Sequence, residues 1–113
     1  MPQPQCSLFV GHVNGRALMR ITGEIDQSNV DRLEQTLALI DGPFTVDCSR
    51  LAFLDGSALH ALAREADRHG GMILRNPPPW LCRLVHLGEL DGHFVLDPPA
   101  VEGDEFPPTI LTG

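Results

Sequence analysis

The chain contains no lysine; its eight cations are all arginine, set against 15 acids, for a formal net charge of −7. This acidic excess argues against a nucleic-acid partner, whose binding requires a basic face. No apolar run approaches the roughly 20 residues that span a bilayer, so no membrane insertion is expected. The opening stretch MPQPQ lacks the basic and apolar regions of a secretion signal, and the expected location is cytoplasmic. Cysteine is scarce as well. Cys6, Cys48 and Cys82 are odd in number, widely spaced and without a C-x-x-C pair, so they read as reduced thiols rather than a disulfide framework. Neither G-x-G-x-x-G nor the Walker pattern occurs, and no cofactor is expected. The five histidines at 12, 60, 69, 86 and 93 show no ligand spacing. Cys82 and His86 are four apart, but two ligands do not close a metal site.

What remains is the composition of a globular protein: 113 residues, 42% hydrophobic and 20% charged, enough for one domain with one core. The acids are uneven. Asp97, Glu102, Asp104 and Glu105 lie in residues 97–113 with no base among them, so −4 of the −7 sits there and −3 in the body. The chain divides into a lead (1–6), a domain (7–96) and an acidic, proline-containing tail (97–113) expected to be disordered or an extended strap, with Ile110 and Leu111 available to dock.

Punctuation and periodicity set the elements. Residues 7–13 read as a strand, Asn14-Gly15 as a hairpin turn, and 17–25 as a second strand. Ser28 can cap a helix over about 28–40, with Asp31 in its first turn and Val30, Leu33, Leu37 and Ile40 at helical spacing. Phe44–Cys48 reads as a central strand. A helix over about 56–69 carries Leu59, Leu62, Ala63 and Ala66 on one face and ends at Gly70-Gly71. Met72–Leu74 is a fourth strand, and prolines 77–79 suit the first turn of a helix over about 78–88. Trp80, Leu81, Leu84, Val85 and Leu87 are assigned to that helix's buried face, and Phe94–Leu96 to a last strand. The order β-β-α-β-α-β-α-β predicts an α/β fold: a mixed, mostly parallel sheet with an antiparallel first strand and helices packed on it.

The strand-to-helix corner LDGSALHAL, residues 54–62, draws the functional question. Asp26 and Asp55 end two strands and should share one edge of the sheet, where open α/β sheets place their sites. The simpler reading is that both acids serve the helices behind them. Three roles are open to Ser57: a cap or first-turn hydroxyl, a phosphoacceptor, or a contact in a docking surface. Ser57, His60 and Asp55 could suggest catalysis. Yet serine and histidine three apart on one helix, with no motif for an oxyanion hole, do not make a nucleophilic site, and no enzyme is expected.

Three stretches, RITGEID (20–26), FTVDCSRLAFLDGSALHAL (44–62) and GGMILRNPPPWLCRLVHLGEL (70–90), resemble in order and spacing the STAS domain, named for sulfate transporters and anti-sigma factor antagonists. The resemblance covers roughly residues 7–96. It implies a bacterial regulatory module that binds an anti-sigma factor with serine kinase activity, in a partner-switching pathway of transcription control. The kinase phosphorylates the residue after the loop aspartate, and the phosphate breaks the complex. Here that residue is Gly56; Ser57 follows one position later, and Ala58 replaces the usual glycine. The resemblance places the partner contact near Asp26 and Asp55; Gly56, Ser57 and His60 form the small tip beside them and complete the expected partner-binding set, with Ser57 the possible phosphorylation site. It also implies an alternative: a STAS subunit of an ABC-type lipid transporter, bound to the transporter's ATPase.

Overall fold

The computed structural model describes residues 6–98; the residues assigned to the tail from 99 onward, and 1–5 of the lead, lie outside it. Strands β1 (Cys6–Val13) and β2 (Arg16–Ile25) form the opening hairpin. Asn14 and Gly15 both take positive φ, 54° and 79°, the two left-handed positions of the turn that matches strand twist. Helix α1 (Val30–Leu37) leads to β3 (Phe44–Leu54), α2 (Gly56–His69), β4 (Met72–Arg75), α3 (Pro79–Leu87), a short 3₁₀ turn (Asp91–His93) and β5 (Val95–Asp97). The sheet order is β1-β2-β3-β4-β5, with β1 antiparallel to β2 and the remaining pairs parallel. β3 is thus the central strand, as its apolar start suggested.

Because every parallel crossover steps in the same direction, right-handed connections put all three helices on one face of the sheet. That face holds the core. Met19, Ile21 and Ile25 of β2, Phe44, Val46 and Cys48 of β3, and Met72 and Leu74 of β4 pack under Leu33 and Leu37 of α1, Leu59 and Leu62 of α2, and Leu81 and Val85 of α3. Among the described residues, the opposite face has no helix over it. It is held by polar links across the strands, Arg16 Nε donating to Thr45 Oγ1 (3.1 Å) and Arg20 Nε paired with Asp47 Oδ2 (3.1 Å).

β3 is longer than Phe44–Cys48, and the reason is local. Against β2 the register runs Arg20↔Asp47, Thr22↔Arg50, Gly23↔Leu51 and Glu24↔Phe53. β3 therefore carries two extra residues, and each bulge flips the side-chain alternation. After the first bulge the core position falls on an odd number, Leu51, and after the second it is back on an even one, Leu54, in phase with 44, 46 and 48. A strand that changes phase twice does not look like one strand in sequence.

Two further differences concern the helices. Of the helix expected over 28–40, residues 28 and 29 at the start and 38–40 at the end are not helical. Asn29 is the residue before the first turn of α1, and its side chain serves the loop behind it instead of the helix amides. In α3, Leu84 and Leu87 were assigned to the buried face, but they are 37% and 70% exposed. Leu81 and Val85, four apart, carry the contact, with Trp80 partly buried beside it. A nine-residue helix that touches the core along one narrow stripe buries only one residue per turn.

Candidate functional site

Ile25 and Leu54 are register partners at the ends of β2 and β3, so Asp26 and Asp55 emerge side by side. The Asp55 amide donates to the Ile25 carbonyl (3.1 Å), which joins the two loops directly. The edge expected from topology is therefore a single tip.

Each acid is spent on organising its own corner. Asp26 Oδ1 accepts from the Ser28 amide (2.8 Å) and the Ser28 hydroxyl (2.6 Å), and its carbonyl accepts from the amides of Asn29 and Val30. Asn29 is buried. Its Oδ1 accepts from the Asp26 amide (2.9 Å), and its Nδ2 donates to the Glu24 carbonyl (2.9 Å). That amide bridges the end of β2 to the start of α1. The sequence reading did not single Asn29 out; an Asn beside a helix start signals a cap, and here the same chemistry turns backward onto the strand.

On the second loop, Asp55 caps α2: its Oδ1 accepts from the Ala58 amide (3.0 Å) and from the Ser57 hydroxyl (2.7 Å). The capping role thus falls to Asp55, and Ser57 is a first-turn hydroxyl held by it. Burial alone would push the Asp55 carboxyl up, but hydrogen bonds from the Ala58 amide, the Ser57 hydroxyl and the amides of Gln27 and Ser57 outweigh it and hold it below the usual carboxylate range. Gln27 lies on the first loop, so one carboxylate ties both loops together.

The outward surface of the tip is made by Gly56, Ser57 and His60, all exposed. His60 Nδ1 sits 2.8 Å from the Gly56 carbonyl and donates to it, which lays the ring along the first turn of α2. Gly56 has an ordinary negative φ, and a Cβ built on it meets nothing within 4 Å. The backbone does not require glycine there. The underside is apolar: Ala58 and Leu59 are buried, and Leu54 is fully so. The arrangement is a rigid, small-residue tip over a packed base, with its carboxylates already hydrogen-bonded.

The Ser57–His60–Asp55 set has no catalytic geometry. The His60 ring nitrogen nearest a partner faces a carbonyl, and the Ser57 hydroxyl points to Asp55. Cys48, buried under the helices, has its thiol pushed up to about 12 by burial first, then by Asp47 and Cys82, so it stays protonated and unreactive. Burial also pushes the Cys82 thiol up.

The capping role can be tested directly. Asp55→Ala should lower stability by about 1–2 kcal/mol at neutral pH, from loss of the cap. The Asp55 carboxyl is held below its unfolded value near 3.9. Its contribution is therefore present above that value and disappears as pH falls through the folded one. Urea unfolding of both proteins should show the gap between them close at acid pH; a gap independent of pH would show that the carboxylate is not what holds the corner.

The family model described as "Mlab, STAS domain" matches residues 9–97. No curated protein matches the sequence. Among solved structures, an anti-sigma factor antagonist from Mycobacterium paratuberculosis is similar with a TM-score of 0.73 and 24% identity, over 88% of this chain and 90% of that one. The anti-sigma factor antagonist SpoIIAA in its unphosphorylated form gives 0.63 and 20%, over 88% and 92%. An anti-sigma-factor antagonist (STAS) domain protein from Planctomyces limnophilus gives 0.66 and 14%, over 87% and 93%. At these identities the structures establish a shared fold, and no helix among the described residues is long and apolar enough to cross a membrane.

Proposed function

The chain belongs to the STAS domain family, and on that premise we propose that it is a non-catalytic binding module that docks through the tip of Asp26, Asp55, Gly56, Ser57 and His60. The partner is an anti-sigma factor of the kinase type, and the role is that of an antagonist in partner switching. The observation that carries this reading is the tip itself. Its carboxylates are tied into the two loops, so Gly56, Ser57 and His60 offer a rigid surface without a carboxylate of its own, which loses little conformational freedom on docking. It lies where the family's partner contact is expected.

The phosphate switch is altered. Gly56 stands where the acceptor is expected, so the kinase modifies this chain poorly, and any modification falls on Ser57. Because a Cβ at Gly56 meets nothing within 4 Å and the φ there is ordinary, Gly56→Ser should fold as the parent does. The test is incubation of the parent, Gly56→Ser and Gly56→Ser/Ser57→Ala with the partner kinase and ATP, followed by intact-mass and peptide mass spectrometry. The expected result is efficient modification of both serine-56 variants and little of the parent. Efficient modification of the parent anywhere but Ser57 would overturn the reading.

The glycine also favours a second reading: a partner held without a phosphate switch, as for a STAS subunit bound to the ATPase of an ABC-type lipid transporter. Affinity capture on the immobilised protein from a native lysate separates the two. A retained kinase-fold anti-sigma factor supports the first, and a retained transporter ATPase the second.

A further inference from the structure

The two edges of the sheet are unlike. β5 at one edge has three residues, ends in Asp97 and is followed at once by Pro98. A short strand with a charge and a proline is a blunted edge. β1 at the other edge has eight residues, CSLFVGHV, with no Asp, Glu, Lys, Arg or Pro. One side of its backbone is paired with β2 along the whole strand, from Cys6↔Gly23 to Val13↔Arg16. Among the described residues, the other side faces no strand. Along it Phe9 is 61%, Val10 41% and Val13 48% exposed. The Phe9 ring leans over Gly11, where a Cβ would meet the ring at 3.2 Å, so it covers the side-chain-free stretch of backbone there.

We propose that β1 is a homodimerisation edge, pairing antiparallel with β1 of a second copy to give one continuous ten-stranded sheet. The choice of occupant rests on charge and pattern. The chain carries −7, so two copies repel unless they meet where neither has an acid, and β1 is such a place. A two-fold axis perpendicular to the sheet keeps each face with its like. Cys6, Leu8, Val10 and His12 then meet the same set across the axis, and Ser7, Phe9, Gly11 and Val13 meet theirs. Every in-face register therefore opposes side chains free of Asp, Glu, Lys and Arg, and Phe9 always finds Ser7, Phe9, Gly11 or Val13 opposite it. The chain's own residues 98–113 are a poor mate by composition: prolines at 98, 99, 107 and 108 divide them into 100–106, which holds Glu102, Gly103, Asp104 and Glu105, and the five residues 109–113, too few to pair along the eight of β1. The pairing is isologous, so it closes at two copies. It leaves the 55–60 tip of each copy open, because that tip belongs to β2, β3 and α2.

An eight-residue ladder is a small interface, so the dimer should be weak, with a Kd on the order of 10–100 µM. Sedimentation equilibrium across that range should give twice the 12.3 kDa chain mass at the upper end. Phe9→Lys and Val10→Lys place a charge on each face of the edge at exposed positions, and each should weaken dimerisation at least tenfold with an unchanged circular dichroism spectrum. Ser57→Glu, away from the edge, should leave it unchanged. Hydrogen exchange should show amides within 7–13 protected in concentrated but not in dilute solution. The proposal is overturned by a wild-type monomer at several hundred micromolar, or by a dimer that both lysine variants leave intact. It is equally overturned by a dimer that Ser57→Glu dissolves, or by β1 amides that gain protection only when a different protein is added.

Discussion

Ser57→Glu should abolish partner binding while leaving the fold intact, and Ser57→Ala should change neither by much. The argument is electrostatic. The tip already holds the carboxylates of Asp26 and Asp55, both satisfied by hydrogen bonds within the two loops. Glutamate at 57 adds a third carboxylate beside them, exposed and without a donor of its own, since the capping amide of Ala58 is taken by Asp55. A partner that covers the tip must desolvate that charge, which costs several kcal/mol when it is left unpaired. Every 1.4 kcal/mol is tenfold in affinity, so a loss of roughly a hundredfold or more is expected. The effect on folding is small because two terms oppose each other. The lost Ser57 hydroxyl and the nearby Asp55 charge disfavour the variant, while an acid in the first turn of a helix gains about 0.3–1 kcal/mol from the dipole. Alanine removes only the hydroxyl, whose acceptor Asp55 keeps the Ala58 amide. Isothermal titration with the captured partner and a thermal melt of each variant decide the matter. If the glutamate variant binds like the parent, docking occurs on another face.

Much of this architecture is legible in the sequence, for reasons that can be named. The Asn14-Gly15 turn, the Gly70 terminator of α2 with its φ of 79°, and the Leu59/Leu62/Ala66 face each follow from local chemistry that tertiary packing does not override. The pairing of Asp26 with Asp55 follows from topology alone, because parallel neighbours bring their carboxyl ends to one edge. What stayed hidden depends on neighbours. The bulges of β3 exist only relative to β2, so Ser49 and Arg50 read as a break in the strand when they are part of it. Leu84 and Leu87 are apolar at helical spacing, yet a helix cannot report how wide a stripe its sheet will cover. Asn29 has the composition of a cap, and only the position of the Glu24 carbonyl turns its side chain backward. At the site, residue identity gave the tip. The division of labour within it, Asp55 capping and Ser57 held, required the geometry.

Phe44 and Leu54 stand at opposite ends of β3, both fully buried, and together they separate stability from function. Phe44→Ala should cost about 3–5 kcal/mol and Leu54→Ala about 2–5 kcal/mol, the range for emptying a packed core site. At roughly 4 °C or more per kcal/mol, each should lower the melting temperature by on the order of 10 °C or more. Their consequences for binding should differ. Phe44 lies at the start of the strand, its ring against His69 at the far end of α2 (centroids 5.0 Å apart), so the cavity opens away from the tip. Leu54 is the residue on which Asp55 is seated and the register partner of Ile25, whose carbonyl holds the Asp55 amide. A cavity under it loosens the joint between the two loops. Measured at a temperature where both variants are fully folded by circular dichroism, Phe44→Ala should keep parental affinity, whereas Leu54→Ala should lose about tenfold or more, because the partner must then reorder the tip it docks on. Urea unfolding gives the stability arm and titration with the captured partner the binding arm. Equal affinities in the two variants would mean that the partner does not read the geometry of the 54–60 corner, even if both substitutions destabilise as expected.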